Sequence, residues 1–148
     1  MSEERYTLSS LLREVLGIQD ALHQLYDRAA ESDRNQPNFT TFSKEIATNM
    51  EKIEEAKSEG VIELALEPIP GEKINGFLGK IQELVPKNGS SSIENLKLIE
   101  ELSSGLFDEV AKEIAPMSAE VSQLLLKASK QSKKRLEDLS ASEGSSIR

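Results

Sequence analysis

A chain of 148 residues with 37 % apolar and 30 % charged residues is sized for one domain with a packed core and a soluble surface. Its net charge of −8 speaks against nonspecific nucleic-acid binding, because phosphates are repelled, and no apolar run approaches the ~18–20 residues of a membrane span. The absence of cysteine removes disulfides, thiolate metal sites and cysteine nucleophiles.

Aromatic residues are 4 % and tryptophan is absent, so the core must be built from Leu, Ile, Val and Ala, a composition that favours helices over sheets. The opening "MSEERYTLSS" lacks a basic region followed by an apolar one. A cytoplasmic protein is therefore expected.

The first helix is predicted over 7–31. Leu11, Val15, Ile18, Leu22, Leu25 and Ala29 recur at spacings of four and three, the seam of a helix packed among others, with Thr7 or Ser9 as its cap. Turn formers and a proline in "ESDRNQPN" end it. The second helix starts near Asn38 or Thr40 and turns Phe39, Phe42, Ile46, Met50 and Ile53 inward; it stops at Gly60 or continues through "VIELALE" to Pro68.

"EPIPGEKING" at 67–76 reads as a loop and "KINGFLGKIQELVP" as a short amphipathic helix carrying Ile74, Phe77, Leu78, Ile81 and Leu84. A serine of "KNGSSS" caps a third long helix that runs from about Ser92 to Ala115, before Pro116. A fourth starts near Ser118 and places Val121, Leu124, Leu125, Ala128, Leu136 and Leu139 inward. Residues 1–140 are thus expected to form a single domain, and the patternless tail 141–148 to be disordered.

The expected architecture is all-α: a four-helix bundle of two helical hairpins, joined by a long crossover that carries a short extra helix. The hairpins look alike. "IQDALHQLYDRAA" (18–30) lies over "IEELSSGLFDEVA" (99–111) without a gap, matching Gln19 to Glu100, Asp20 to Glu101 and "LYD" to "LFD".

This layout, with "LYDRAAE" and "AKSEGVIELALEPIPG", resembles the ferritin-like superfamily, in particular the small rubrerythrin-type proteins of archaea and bacteria, over about residues 8–140. The resemblance implies a di-iron centre: one carboxylate from the first helix of each hairpin, seven residues before an aromatic, and a Glu-x-x-His pair from the second. The first-helix positions read Gln19 before Tyr26 and Glu100 before Phe107, so one carboxylate is kept and the other has become an amide. The second-helix positions fall at Met50 and Ile53, and at Gln131 and Lys134 or Ser132 and Arg135; no Glu-x-x-His occurs in the chain.

Glu100 is the residue that the apolar pattern does not explain. Ile93, Glu100, Phe107 and Ile114 are seven apart and form one row on a helix, three of them apolar. An unpaired buried carboxylate is costly, so a polar cluster of Glu100, Gln19 and Gln131 is expected in place of a metal, with Arg135 or Lys134 as the cation that pairs with Glu100. No catalytic residue and no cofactor is expected. If iron or manganese does bind, Glu100, Glu101, Asp20 and Glu51 are the available ligands.

His23, the one histidine, reads as a half-exposed helix residue, Tyr26 and Phe107 as core aromatics, and "KASKQSKKR" (127–135) as a solvated basic face. The function expected is non-enzymatic, through binding or self-association as a homodimer, with "VIELAL" and "INGFLGKIQELV" covering the bundle or meeting a second subunit. No nucleic-acid or membrane partner is expected. The alternative is a metal-binding rubrerythrin-type protein acting on oxygen or peroxide.

Overall fold

The computed structural model describes residues 5–32, 38–58, 68–85 and 92–146. In chain order they form β1 (Arg5–Tyr6), α1 (Leu8–Ser32), α2 (Asn38–Ser58), β2 (Ile69–Pro70), α3 (Glu72–Leu84), α4 (Ile93–Ile114) and α5 (Ala119–Ser146). The fold is all-α apart from the two-residue strands. None of the described helices is long and apolar enough to cross a membrane.

The helices start where side chains satisfy their free amides. Thr7 and Ser10 cap α1 reciprocally: Ser10 N donates to Thr7 Oγ1 at 3.1 Å and Thr7 N to Ser10 Oγ at 3.0 Å. Ser92 Oγ accepts from Asn95 N at 3.1 Å at the start of α4, and Ser118 Oγ from Val121 N at 3.2 Å at the start of α5. The turn that contains Pro116 separates those two helices.

Two expectations change, and a third lies outside the described residues. Part of the supposed loop 67–76 is ordered: Ile69–Pro70 pairs antiparallel with Arg5–Tyr6, and α3 already begins at Glu72 after Gly71. A two-residue pairing is too short to leave a periodic signal. At the other end, α5 carries on to Ser146, past the boundary set at 140. Leu139 is the last inward-facing leucine there, but no proline follows, and extending an existing helix needs no new nucleus. Finally, "VIELAL", and with it the choice between Gly60 and Pro68 as the end of the second helix, lies outside the described residues.

Hydrogen bonds between helices give their directions. Gln19 meets Asn49, and His23 meets Ser43, so α1 and α2 are antiparallel. Ser122 meets Ala111, Ser129 meets Ser104 and Arg135 meets Glu100, so α4 and α5 are antiparallel as well. Asn49 reaches Leu124 while Glu45 reaches Arg135, which sets α2 against α5 in opposite directions. It follows that α2 and α4 run the same way, as they must if α3 carries the chain back along the assembly.

Packing is closest within the two hairpins, α1 with α2 and α4 with α5; α2–α5 and α1–α4 approach over far fewer residues. Serines and alanines bring α4 and α5 together. Ser122 Oγ donates to the Ala111 carbonyl at 2.9 Å and Ser129 Oγ to that of Ser104 at 3.3 Å, with Ala128 also buried.

The leucine-rich seam behaves as its spacing requires: Leu11, Val15, Ile18, Leu22 and Leu25 of α1 are buried with Ile99, Leu106, Phe107, Val110 and Ile114 of α4. The short helix α3 buries Ile74, Leu78 and Ile81 and packs on α4. Its Phe77 ring fills the place of a side chain at Gly105, where a Cβ would stand 2.6 Å from Phe77 Cε1. This crossover segment therefore covers the chain's own helices.

Candidate functional site

One polar network lies in the middle of the four long helices and takes a residue from each. Glu100 of α4 is wholly buried. Its row is otherwise apolar, so the carboxylate is carried into the core by the same seven-residue spacing that buries Phe107 and Ile114.

Arg135 of α5 meets it there. Nε donates to Glu100 Oε2 at 2.6 Å and Nη2 to Oε1 at 3.3 Å, a two-pronged contact that uses both carboxylate oxygens. Nη2 also donates to Ser132 Oγ, one turn back on α5, at 3.0 Å. Nη1 donates to Glu45 Oε1 of α2 at 2.6 Å. From α1, Tyr26 Oη donates to Glu100 Oε2 at 2.5 Å, its ring held edge-on to Phe42 with centroids 5.3 Å apart.

Burial is the main cause that pushes the Tyr26 phenol well above the usual 10.0; the charge of Glu100 and the hydrogen bond to it add to the shift, and Arg135 opposes it. Burial alone would weaken the Arg135 cation. Glu100, Tyr26 and Glu45 outweigh that effect and hold its pKa above the usual arginine value. The centre is thus a buried ion pair with a neutral phenol on one oxygen and a second carboxylate, Glu45, leading to the surface.

Beside it, Gln19 Nε2 donates to Asn49 Oδ1 at 2.7 Å, and Asn49 Nδ2 to the Leu124 carbonyl at 3.2 Å. Gln19 therefore turns to α2 and not to Glu100, which was its expected partner. Gln131 is half-buried and lines a groove of about 160 Å³ with Glu45, Thr48, Asn49, Lys52 and Lys127. Of the expected cluster, only Glu100 and Arg135 bond one another. Tyr26, expected as a core aromatic, is a hydrogen-bond donor as well, and Glu45 was not anticipated. The matched positions Gln19 and Glu100 still behave alike: each is buried and each bonds the second helix of its own hairpin.

The other proposed metal ligands do not gather around Glu100. Asp20 is exposed and accepts from Gln24 Nε2 at 2.8 Å, and Glu51 and Glu101 are exposed on α2 and α4. Among the described residues, no three His, Asp or Glu side chains are grouped in a way that would hold a metal ion.

His23 is 30 % exposed, and its Nδ1 lies 2.8 Å from Ser43 Oγ. Ser43 is itself buried and donates to Asp27 Oδ1 at 2.5 Å. These are a serine, a histidine and an aspartate, with the serine of α2 bonded to both the histidine and the aspartate of α1, so the trio ties α1 to α2. On α5, Lys133 pairs with Asp108 at 3.1 Å, with both groups about half exposed.

Comparison with protein-family models, with curated proteins and with solved structures yields no match.

Proposed function

We propose that this chain is a ferritin-like four-helix bundle that works without a metal centre, as a binding protein that associates with a second copy of itself. The observation that carries this is the Arg135 guanidinium bonded to both oxygens of Glu100. A di-iron pair needs hard oxygen ligands and imidazoles directed at one point. Here that carboxylate is fully engaged by a cation and a phenol, and Asp20, Glu51 and Glu101 face solvent. The residues present do not fit the iron pair that the ferritin-like resemblance implies. Support for the resemblance itself comes from the parallel course of α2 and α4, which a long crossover between two hairpins produces. The matching burial of Gln19 with Glu100 and of Tyr26 with Phe107 points the same way.

Support for association is the outer face of α4 and α5. Leu98 is 46 % exposed and, with Leu136, Ser92, Glu94 and Glu101, lines an open groove of about 410 Å³. A cytoplasmic location is part of the same proposal, and the lack of cysteine is compatible with it.

Elemental analysis of protein purified without chelators, run alongside native mass spectrometry, tests both halves. The expected result is no stoichiometric iron or manganese and a mass twice that of the chain, falling to one chain in Leu98→Glu. One or two metal ions per chain would overturn the metal-free assignment, and a monomer at tens of micromolar would overturn the association.

A further inference from the structure

We propose that the centre of the bundle is a cation site filled by the chain's own guanidinium, and that Arg135 is the clasp holding the α1–α2 hairpin against the α4–α5 hairpin. This inference stands on side-chain geometry and is independent of whether the chain associates with a second copy.

Two observations lead to it. First, the donors and acceptors divide between the hairpins: Tyr26 and Glu45 belong to α1 and α2, while Glu100, Ser132 and Arg135 belong to α4 and α5. Arg135 bonds Glu45 across that boundary at 2.6 Å, and Tyr26 bonds Glu100 across it at 2.5 Å. Helices of different hairpins approach one another over fewer residues than those within each hairpin, and beside the shared apolar core this network is a polar link between them. Asn49 to the Leu124 carbonyl, at 3.2 Å, is a second and longer one.

Second, oxygen atoms of four residues on four helices converge on one small region: two carboxylates, a phenol oxygen and a serine hydroxyl. Such a set carries two negative charges and is stable in the interior only with a cation among them. Arg135 supplies that cation from within the chain. Its planar fork matches the carboxylate of Glu100 and leaves Nη1 free to reach Glu45, which the point charge of a lysine would not do in the same way.

Chemical rescue of Arg135→Ala tests the inference in the full chain. The variant is expected to melt about 10 °C below the parent, from the loss of one partner of a buried pair. Guanidinium at about five times its dissociation constant should then raise the melting temperature of the variant by about 3 °C. Equal concentrations of sodium chloride or of urea, the neutral isostere, should not raise it. The parent and Glu100→Gln/Arg135→Ala should gain nothing from guanidinium.

Rescue by salt or urea to the same degree would overturn the proposal, as would a variant as stable as the parent or one that guanidinium leaves unchanged. If Arg135→Ala does not fold, Glu100→Gln/Arg135→Gln, which removes both charges together, is expected to fold. Its failure to fold would overturn the proposal too.

Discussion

Replacing Tyr26 by phenylalanine removes one hydroxyl from the centre and nothing else. Glu100 Oε2 accepts two hydrogen bonds, from Tyr26 at 2.5 Å and from Arg135 Nε at 2.6 Å, so the carboxylate keeps a partner after the change. A hydrogen bond to a charged group contributes ~1.5–3 kcal/mol, and the surviving partner places the expected loss at the lower end, about 1–2 kcal/mol, or about 3–6 °C in melting temperature.

The proton of Tyr26 also gives the buried phenol a pH dependence. The folded-state pKa of Tyr26 is raised above the unfolded value of about 10. The stability linked to its proton is therefore fully present below pH 10 and is lost as pH rises through the folded-state value. Urea denaturation followed by circular dichroism from pH 7 to 11 should show a constant gap between parent and Tyr26→Phe up to about pH 10. Above that the parent should lose stability faster and the gap should close. Parallel curves across pH 10, or a gap under about 0.3 kcal/mol at pH 7, would refute the assignment of Tyr26 as a buried hydrogen-bond donor to Glu100.

Other substitutions probe the remaining contacts. Gly105→Ala should lower stability by about 1–2 kcal/mol in thermal denaturation although alanine favours helix by about 1 kcal/mol, because the added methyl meets the Phe77 ring. Combining it with Phe77→Leu should restore part of the loss. Asn49→Ala should cost about 1–3 kcal/mol by leaving the buried Gln19 amide without its acceptor, and Gln19→Leu/Asn49→Leu should be less damaging than Asn49→Ala alone. Lys133→Ala, at an exposed pair with Asp108, should change the melting temperature by less than about 2 °C.

The helices were legible because their signals are local. Seven-residue rows and four-and-three spacing locate the inward faces of α1 and α4, Thr7, Ser92 and Pro116 mark where helices start or stop, and the buried positions of α1 agree with that seam. Glu100 stood out for the same reason: a carboxylate in an apolar row breaks a pattern visible along one helix. Arg135 and Lys134 were the expected cations because the ferritin-like resemblance puts its second-helix ligand positions there.

The partners of Glu100 were only partly legible. Tyr26 sits on the apolar row of its helix, and nothing in one helix tells whether its hydroxyl finds an acceptor on another. Glu45 precedes Ile46 on a helix rich in exposed charges and carries no periodic signal at all. Gln19 bonds Asn49 and not Glu100, a choice set by how α1 is rotated against α2. The β1–β2 pairing joins residues more than sixty positions apart through a pairing of only two residues.

The sequence by itself determined which segments are helical, which face of each is apolar, and that one carboxylate would be drawn into the interior. The tertiary structure alone decided that α2 and α4 run in the same direction, that Arg135 fills the centre, and that Asp20, Glu51 and Glu101 stay in water. The reason is physical: helical periodicity depends on neighbours within two turns of one chain segment, whereas the meeting of Tyr26, Glu45, Glu100 and Arg135 depends on the rotation and axial offset of four separate helices, which only their mutual packing fixes.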